Sequence, residues 1–298
     1  MQTGTVSRPV TAARVPARPS RSLAGTLEKA LKVLAYVILL VWALVSLLPV
    51  YLMISTSIKA STVVMEIPPQ WFPNPISFDS YDTLLQRSEL PRWFLNTAFV
   101  SVAVTVGTVI VNALAAYPFA KLRFPGDRYL FWGLLALIMV PYVVVWVPLF
   151  ILVSNLGLLD TYWILIVPGF ASVWNFFLFK QFMQTLPSSL IDAARIDACS
   201  EPGIFWQVIL PLAKPAVAVV AIFSFVWQWN SFFWWLLFTN SSEMRNLAVG
   251  LAQYRYQNTI DYGPLMAGAT VSALPVIVIF LLFQRYFMEG LTIGAIKG

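Results

Sequence analysis

Ser189, Asp192, Arg195, Asp197 and Ser200 place polar side chains in a segment, residues 189–215, that lies between two long apolar runs. A segment this polar belongs outside a bilayer. Its small side chains suggest a surface shaped to be gripped by another molecule. Ser189 stands three residues before Asp192, the Ser-x-x-Asp form of an N-terminal capping signal, which predicts a helix from Leu190 to Asp197. Leu190, Ala193, Ala194 and Asp197 then share one face, and Asp192 and Arg195 can pair on another. The two alanines keep the shared face narrow enough for close docking. Ala198-Cys199-Ser200 reads as a turn, with Ser200 able to cap a second helix running through Ile204 and Phe205 into the next span. An ordinary surface loop with a short helix is the other reading of the same residues.

Other chemistries are poorly supplied. There is no histidine, and the single cysteine, Cys199, excludes an intrachain disulfide. A zinc site built from the usual ligands is therefore implausible. No glycine-rich phosphate loop ending in Gly-Lys-Ser/Thr occurs, so if ATP drives a process here, another polypeptide binds it. No cofactor is expected on this chain.

The elements that must position these residues read as membrane helices. Hydrophobic residues make up 59% of the 298 and charged residues 11%, against about a quarter charged in soluble domains. Uncharged runs at 33–58, 93–120, 129–159, 161–179, 215–242 and 262–284 each approach or exceed the roughly 20 residues a helix needs to cross a bilayer. The expected fold is all-α and polytopic, with six spans near 33–55, 94–118, 129–153, 162–182, 212–238 and 264–286. Pro141 and Pro148 invite kinks in the third span and Pro275 in the sixth. The proline-rich loop at 67–75 is expected to be irregular, and 79–92 to form a short surface helix. The first 32 residues read as a disordered basic cytoplasmic tail, with a transit peptide as the competing reading. The rest reads as one transmembrane domain.

Six spans put both termini on one side, together with fourteen Lys and Arg against five opposite. The positive-inside rule then places the termini and the 180–214 insert in the cytoplasm. The basic residues form no compact patch suited to nucleic acid. The spans carry essentially no ionisable residues, and such residues usually mark ion or proton pathways. That argues against an ion-coupled secondary transporter; a non-transport membrane scaffold is a further alternative.

The insert resembles the cytoplasmic loop of binding-protein-dependent ABC importers: Glu-Ala-Ala, three residues, Gly, nine residues, Ile-x-Leu-Pro. Here it reads Asp192-Ala193-Ala194, then Ala198, then Val208 or Ile209, Leu210 and Pro211. Asp192 stands for the usual Glu. Ala198 stands for the usual Gly, so a left-handed backbone there would be strained. Further stretches, Ile67–Trp71, Ala115–Gly126, Trp229-Asn230 and Gln284–Gly298, resemble carbohydrate importers of the maltose type, in particular their second, six-span membrane subunit.

The resemblance implies a non-catalytic permease in a bacterial cytoplasmic membrane. Its implied partners are a second, unlike permease subunit, two ATPases carrying ATP and magnesium, and an extracytoplasmic solute-binding protein. A coupling helix at about 189–201, including Ser200, would seat in a groove on one ATPase. The tail, with Gly294, Lys297 and Gly298, would reach the ATPase interface. The cargo would be a carbohydrate, a di- or oligosaccharide, with polyols and acidic oligosaccharides as alternatives. A sugar path needs flat aromatic walls and scattered hydrogen-bonding groups, which Trp227, Gln228, Trp229, Asn230 and Ser231 offer; an interfacial aromatic belt is the other reading of these tryptophans.

Overall fold

The computed structural model describes residues 23–60, 63–64, 66, 70–255 and 261–293. Among these residues there is no β-strand, only an isolated antiparallel bridge between Lys59 and Ile76. The chain divides into two compact units, Met1–Tyr51 and Leu52–Gly298.

Helix α1 (Leu23–Ser57) has 35 residues, about 52 Å at 1.5 Å per residue, more than the roughly 30 Å of a hydrocarbon core. It begins ten residues before the expected first span. The basic-tail reading is therefore corrected for residues 23–32, where Leu27 and Leu31 continue the apolar spacing and Glu28 pairs with Lys32 at 2.6 Å one turn on. Residues 1–22 lie outside the described residues.

In the second unit, α2 (Asp79–Arg87) leads to α3 (Leu90–Lys121), which with 32 residues equals α14 (Tyr262–Ile293) in length and is the helix the others gather around. Three apolar cores succeed one another along α3: Leu90 and Trp93 in one, Val100 and Val104 in the next, Ala113, Ala116 and Tyr117 in the last. Small polar residues punctuate this buried face: Asn96, Thr97, Ser101, Thr108 and Asn112.

Of these, Asn96, Thr108 and Asn112 hold backbone that is not α-helical. The fourth span is interrupted: α6 (Tyr162–Ile166), a 3-10 turn (Val167–Phe170) and α7 (Val173–Thr185). Irregular backbone at membrane depth survives only where protein satisfies its polar groups. Asn112 does this, donating through Nδ2 to the Phe170 carbonyl at 2.8 Å and accepting from the Ser172 amide at 3.1 Å. Thr108 donates to the Gly169 carbonyl at 2.8 Å. Glycine permits the close approach on both sides: a Cβ on Gly107 would fall 2.1 Å from the Phe170 ring, and one on Gly169 2.7 Å from Val104.

The expected third span is not one helix. α4 (Asp127–Ile138) and α5 (Val143–Asn155) are bent by 94° at a break that contains Pro141. Proline disfavours helix in the residue before it and supplies no amide donor. Pro148, by contrast, sits inside continuous α5.

After α7 come α8 (Ser188–Ile196), α9 (Glu201–Ile204), a π turn (Phe205–Ile209), α10 (Leu210–Leu212), and α11 (Lys214–Trp229). The expected smooth run from Ile204 into the fifth span is corrected, because the chain turns by 78° at Ala213. That span is also interrupted at Asn230–Phe232 before α12 (Phe233–Phe238). α13 (Leu247–Ala252) and α14 (Tyr262–Ile293) complete the fold, with Pro275 inside α14. Four candidate spans pass by length and apolarity alone among the described residues, and six when each bent pair counts as one.

Candidate functional site

α8 is tied down on one face and bare on the other. Ile191 is 2% exposed and packs with Tyr117, Met183, Ile204 and Phe205, and half-buried Ala194 lies against the same core. Leu190, Ala193 and Asp197 are exposed, as is Asp192. The expected four-residue face is thus corrected at Ala194, which turns inward. Its place on the free surface is taken by Ile196, 85% exposed, which sequence reasoning missed. The signal was available: 190, 193 and 196 recur every three residues on one side of a helix. The outer face of this short helix thus presents Leu190, Ala193 and Ile196.

Its ends are built from local rules. The helix starts at Ser188, directly after Pro187, which stands at the N-cap in an extended conformation (φ −61°, ψ 127°) and can offer no side-chain cap; Ser189 lies inside the first turn. The Ser-x-x-Asp cap is therefore corrected. At the far end the Cys199 amide donates to the Ala194 carbonyl at 2.9 Å and the Ala198 amide to the Arg195 carbonyl at 3.0 Å. This is the paired pattern of a Schellman stop, whose central residue is left-handed and usually Gly. Ala198 occupies it with φ +57°. The strain expected from alanine there is present, about 1–2 kcal/mol for an L-residue. Ala198→Gly should raise the thermal midpoint of the detergent-solubilised protein by about 2 °C, a net gain of about 0.5–1 kcal/mol once glycine's extra unfolded-state freedom is counted. An unchanged or lower midpoint would show that the turn is not strained.

Ser200 caps α9 as expected, accepting from the Gly203 amide at 3.4 Å. The following π turn, marked by the Leu210 amide donating to the Phe205 carbonyl, ends at Ile209, two residues before Pro211. An α-helix would bring the Pro211 ring against the carbonyl four residues back.

Asp192 and Arg195 pair at 3.7 Å, but the closer partner of Arg195 is Glu201, with Nη2 at 2.8 Å and Nε at 3.0 Å from Oε1. The other oxygen of Glu201 accepts from the Tyr117 hydroxyl at 2.7 Å. The Tyr117 hydrogen bond, followed by those from Arg195, holds the Glu201 carboxyl below its ordinary range and keeps it anionic. Neither Glu201 nor Tyr117 was singled out from the sequence. They are 84 positions apart, so no local spacing joins them.

The proposed path residues do not converge on one wall. Trp227 is 82% exposed. Trp229 is corrected to a core residue: it is 3% exposed, lies between Phe94 and Phe225, and donates to the Ser272 carbonyl at 2.9 Å. Exposed Asn230 ends α11 and bonds back to the Val226 carbonyl at 2.8 Å, while the Ser231 carbonyl accepts from Asn246 at 2.6 Å. Gln228 is 8% exposed, and its Nε2 has no partner among the described residues. Gly294, Lys297 and Gly298 lie outside the described residues.

Several apolar helices, some of them broken, are long and apolar enough to cross a membrane, the mark of a polytopic membrane protein. The chain belongs to the family of binding-protein-dependent transport system inner membrane components, whose model matches residues 109–292, more than half of its length and including the whole α8–α10 segment. It is 35% identical over 259 residues to the arabinooligosaccharides transport system permease protein AraQ of Bacillus subtilis (strain 168), covering 86% of this chain and 92% of that one. It is 29% identical over 278 residues to the diacetylchitobiose uptake system permease protein NgcG of Streptomyces coelicolor, covering 92% of each. A crystal structure of a bacterial ABC transporter involved in import of the acidic polysaccharide alginate contains a chain that superposes with a TM-score of 0.79 at 25% identity, over 91% of this chain and all of that one.

Proposed function

We propose that the chain is the non-catalytic permease subunit of an ATP-driven importer that moves an oligosaccharide across the cytoplasmic membrane. The observation that carries this reading is α8: a helix anchored through Ile191 whose outer face, Leu190, Ala193 and Ile196, is apolar and bare. In a family defined by membrane components of binding-protein-dependent systems, such a surface fits a groove on an ATPase. The excess of Lys and Arg on the side of the termini supports a cytoplasmic position for α8 and both ends. ATP and magnesium then reside on two partner ATPases. A second, unlike permease and an extracytoplasmic binding protein complete the assembly, and closure of the ATPase pair rocks the spans from inward- to outward-facing. Relatives named for arabinooligosaccharide and diacetylchitobiose uptake support an oligosaccharide cargo.

Reconstitution tests this. Vesicles carrying the complete complex, supplied with ATP inside and the loaded binding protein outside, should accumulate arabino- or chito-oligosaccharide. Uptake that persists without ATP, or that an uncoupler abolishes while ATP stays high, would replace the reading with ion coupling.

A further inference from the structure

The last turn of α3 grips α8 on both flanks. Before α8, Lys121 donates through Nζ to the Leu186 carbonyl. After it, Tyr117 donates to Glu201, which accepts two bonds from Arg195 on α8 itself. We propose that this clamp is the route by which movement of α8 is delivered to the membrane helices, with Tyr117 and Glu201 as its positioning residues and α3 as the receiving element. The inference rests on the reading of α8 as the ATPase-docking helix.

Two physical comparisons favour this route over the covalent one. Along the chain, α8 reaches α11 only through the left-handed turn at Ala198, the π turn at Phe205–Ile209 and the 78° turn at Ala213. A push along that path bends joints before it moves a span. Through Tyr117 it enters an unbroken helix of 32 residues. Apolar packing of Ile191 also touches α3, but burial is non-directional and lets surfaces slide. Charge-assisted hydrogen bonds fix both distance and direction. Beyond Tyr117, α3 is coupled onward: Asn112, five residues back, holds the backbone at the break in the fourth span. The clamp therefore connects the docking helix to an irregular segment at membrane depth.

The test uses the whole complex in vesicles and reads sugar imported per ATP hydrolysed, with ATPase co-purification measured alongside. Tyr117→Phe keeps the ring against Phe205, at 5.7 Å between centroids, and removes only the bond to Glu201. It should retain the ATPases while import per ATP falls roughly fivefold or more, the size of a typical coupling free energy between sites. Glu201→Ala should do the same, and the double variant should be no worse than either single one, because both remove one link. A structural role alone would lower the amount of complex and leave the ratio intact. If Tyr117→Phe fails to assemble, Glu201→Gln, at a half-exposed side chain, decides by the same ratio. A ratio within about twofold of wild type, or additive losses in the double variant, would overturn the inference while leaving the importer reading in place. Wild-type complex that imports no carbohydrate would instead defeat the importer reading and this inference with it.

Discussion

Ala193→Trp should strip the complex of its ATPases while leaving the membrane protein folded. Ala193 is exposed on the free face of α8, one turn from Leu190 and three residues before Ile196. An indole there meets nothing in the chain's own core, since the packed face is carried by Ile191 and Ala194. The monomer's thermal midpoint should therefore shift little. In a docked complex the alanine lets the two surfaces approach closely, and a bulky ring holds them apart, emptying the contacts of Leu190 and Ile196. Loss of a central contact cluster costs about 2 kcal/mol or more, roughly a 30-fold fall in affinity. Co-purification of the ATPases should be lost and ATP turnover should cease to respond to loaded binding protein. Ile196→Asp should act in the same direction by burying an unpaired charge. A variant that keeps its ATPases and its stimulated turnover would show that α8 is not the joint.

How much of this was legible in the sequence depends on whether the signal was local. α8, the turn at Ala198 and the Ser200 cap all follow from residues within a few positions of one another, and their types specify a stop and a start; the bare face was assigned to Ala194 where Ile196 belongs. The strain at Ala198 was legible because only one backbone conformation closes that turn. The helix start was misplaced because two signals competed: extended Pro187 disfavours helix in the residue before it and sets the boundary just ahead of Ser188, one residue before the Ser189 of the Ser-x-x-Asp pattern. The breaks at Ala213 and Asn230–Phe232, and the size of the bend at Pro141, were hidden for a different reason. Apolar stretches lie on both sides of each break, so hydropathy continues across the interruption and gives no sign of it. Pro141 and Pro148 look alike in sequence, yet only the first interrupts a helix. The link from Tyr117 to Glu201 and the burial of Trp229 are products of tertiary packing. Spacing along the chain holds no trace of them.

Asn112 shows what such a long-range feature is worth, and Asn112→Leu should be the most destabilising single substitution proposed for this chain. Its amide makes three hydrogen bonds: to the Thr108 carbonyl at 2.6 Å, to the Phe170 carbonyl at 2.8 Å and from the Ser172 amide at 3.1 Å. Leucine is similar in size but makes none of them. The Phe170 carbonyl and the Ser172 amide would then be left beside apolar side chains at membrane depth, each at about 1–3 kcal/mol. The total, about 3–5 kcal/mol, corresponds to a fall of roughly 10 °C in thermal midpoint for a chain of this length. Gln228→Leu supplies the contrast. Its Nε2 is buried with no partner among the described residues, so removing it should leave the midpoint unchanged or raise it. Should that variant melt normally yet lose import, the Gln228 amide serves the cargo and not the fold. Equal melting of Asn112→Leu and wild type would mean that the interrupted fourth span is held by packing alone, and that the glycine contacts at 107 and 169 carry the joint without it.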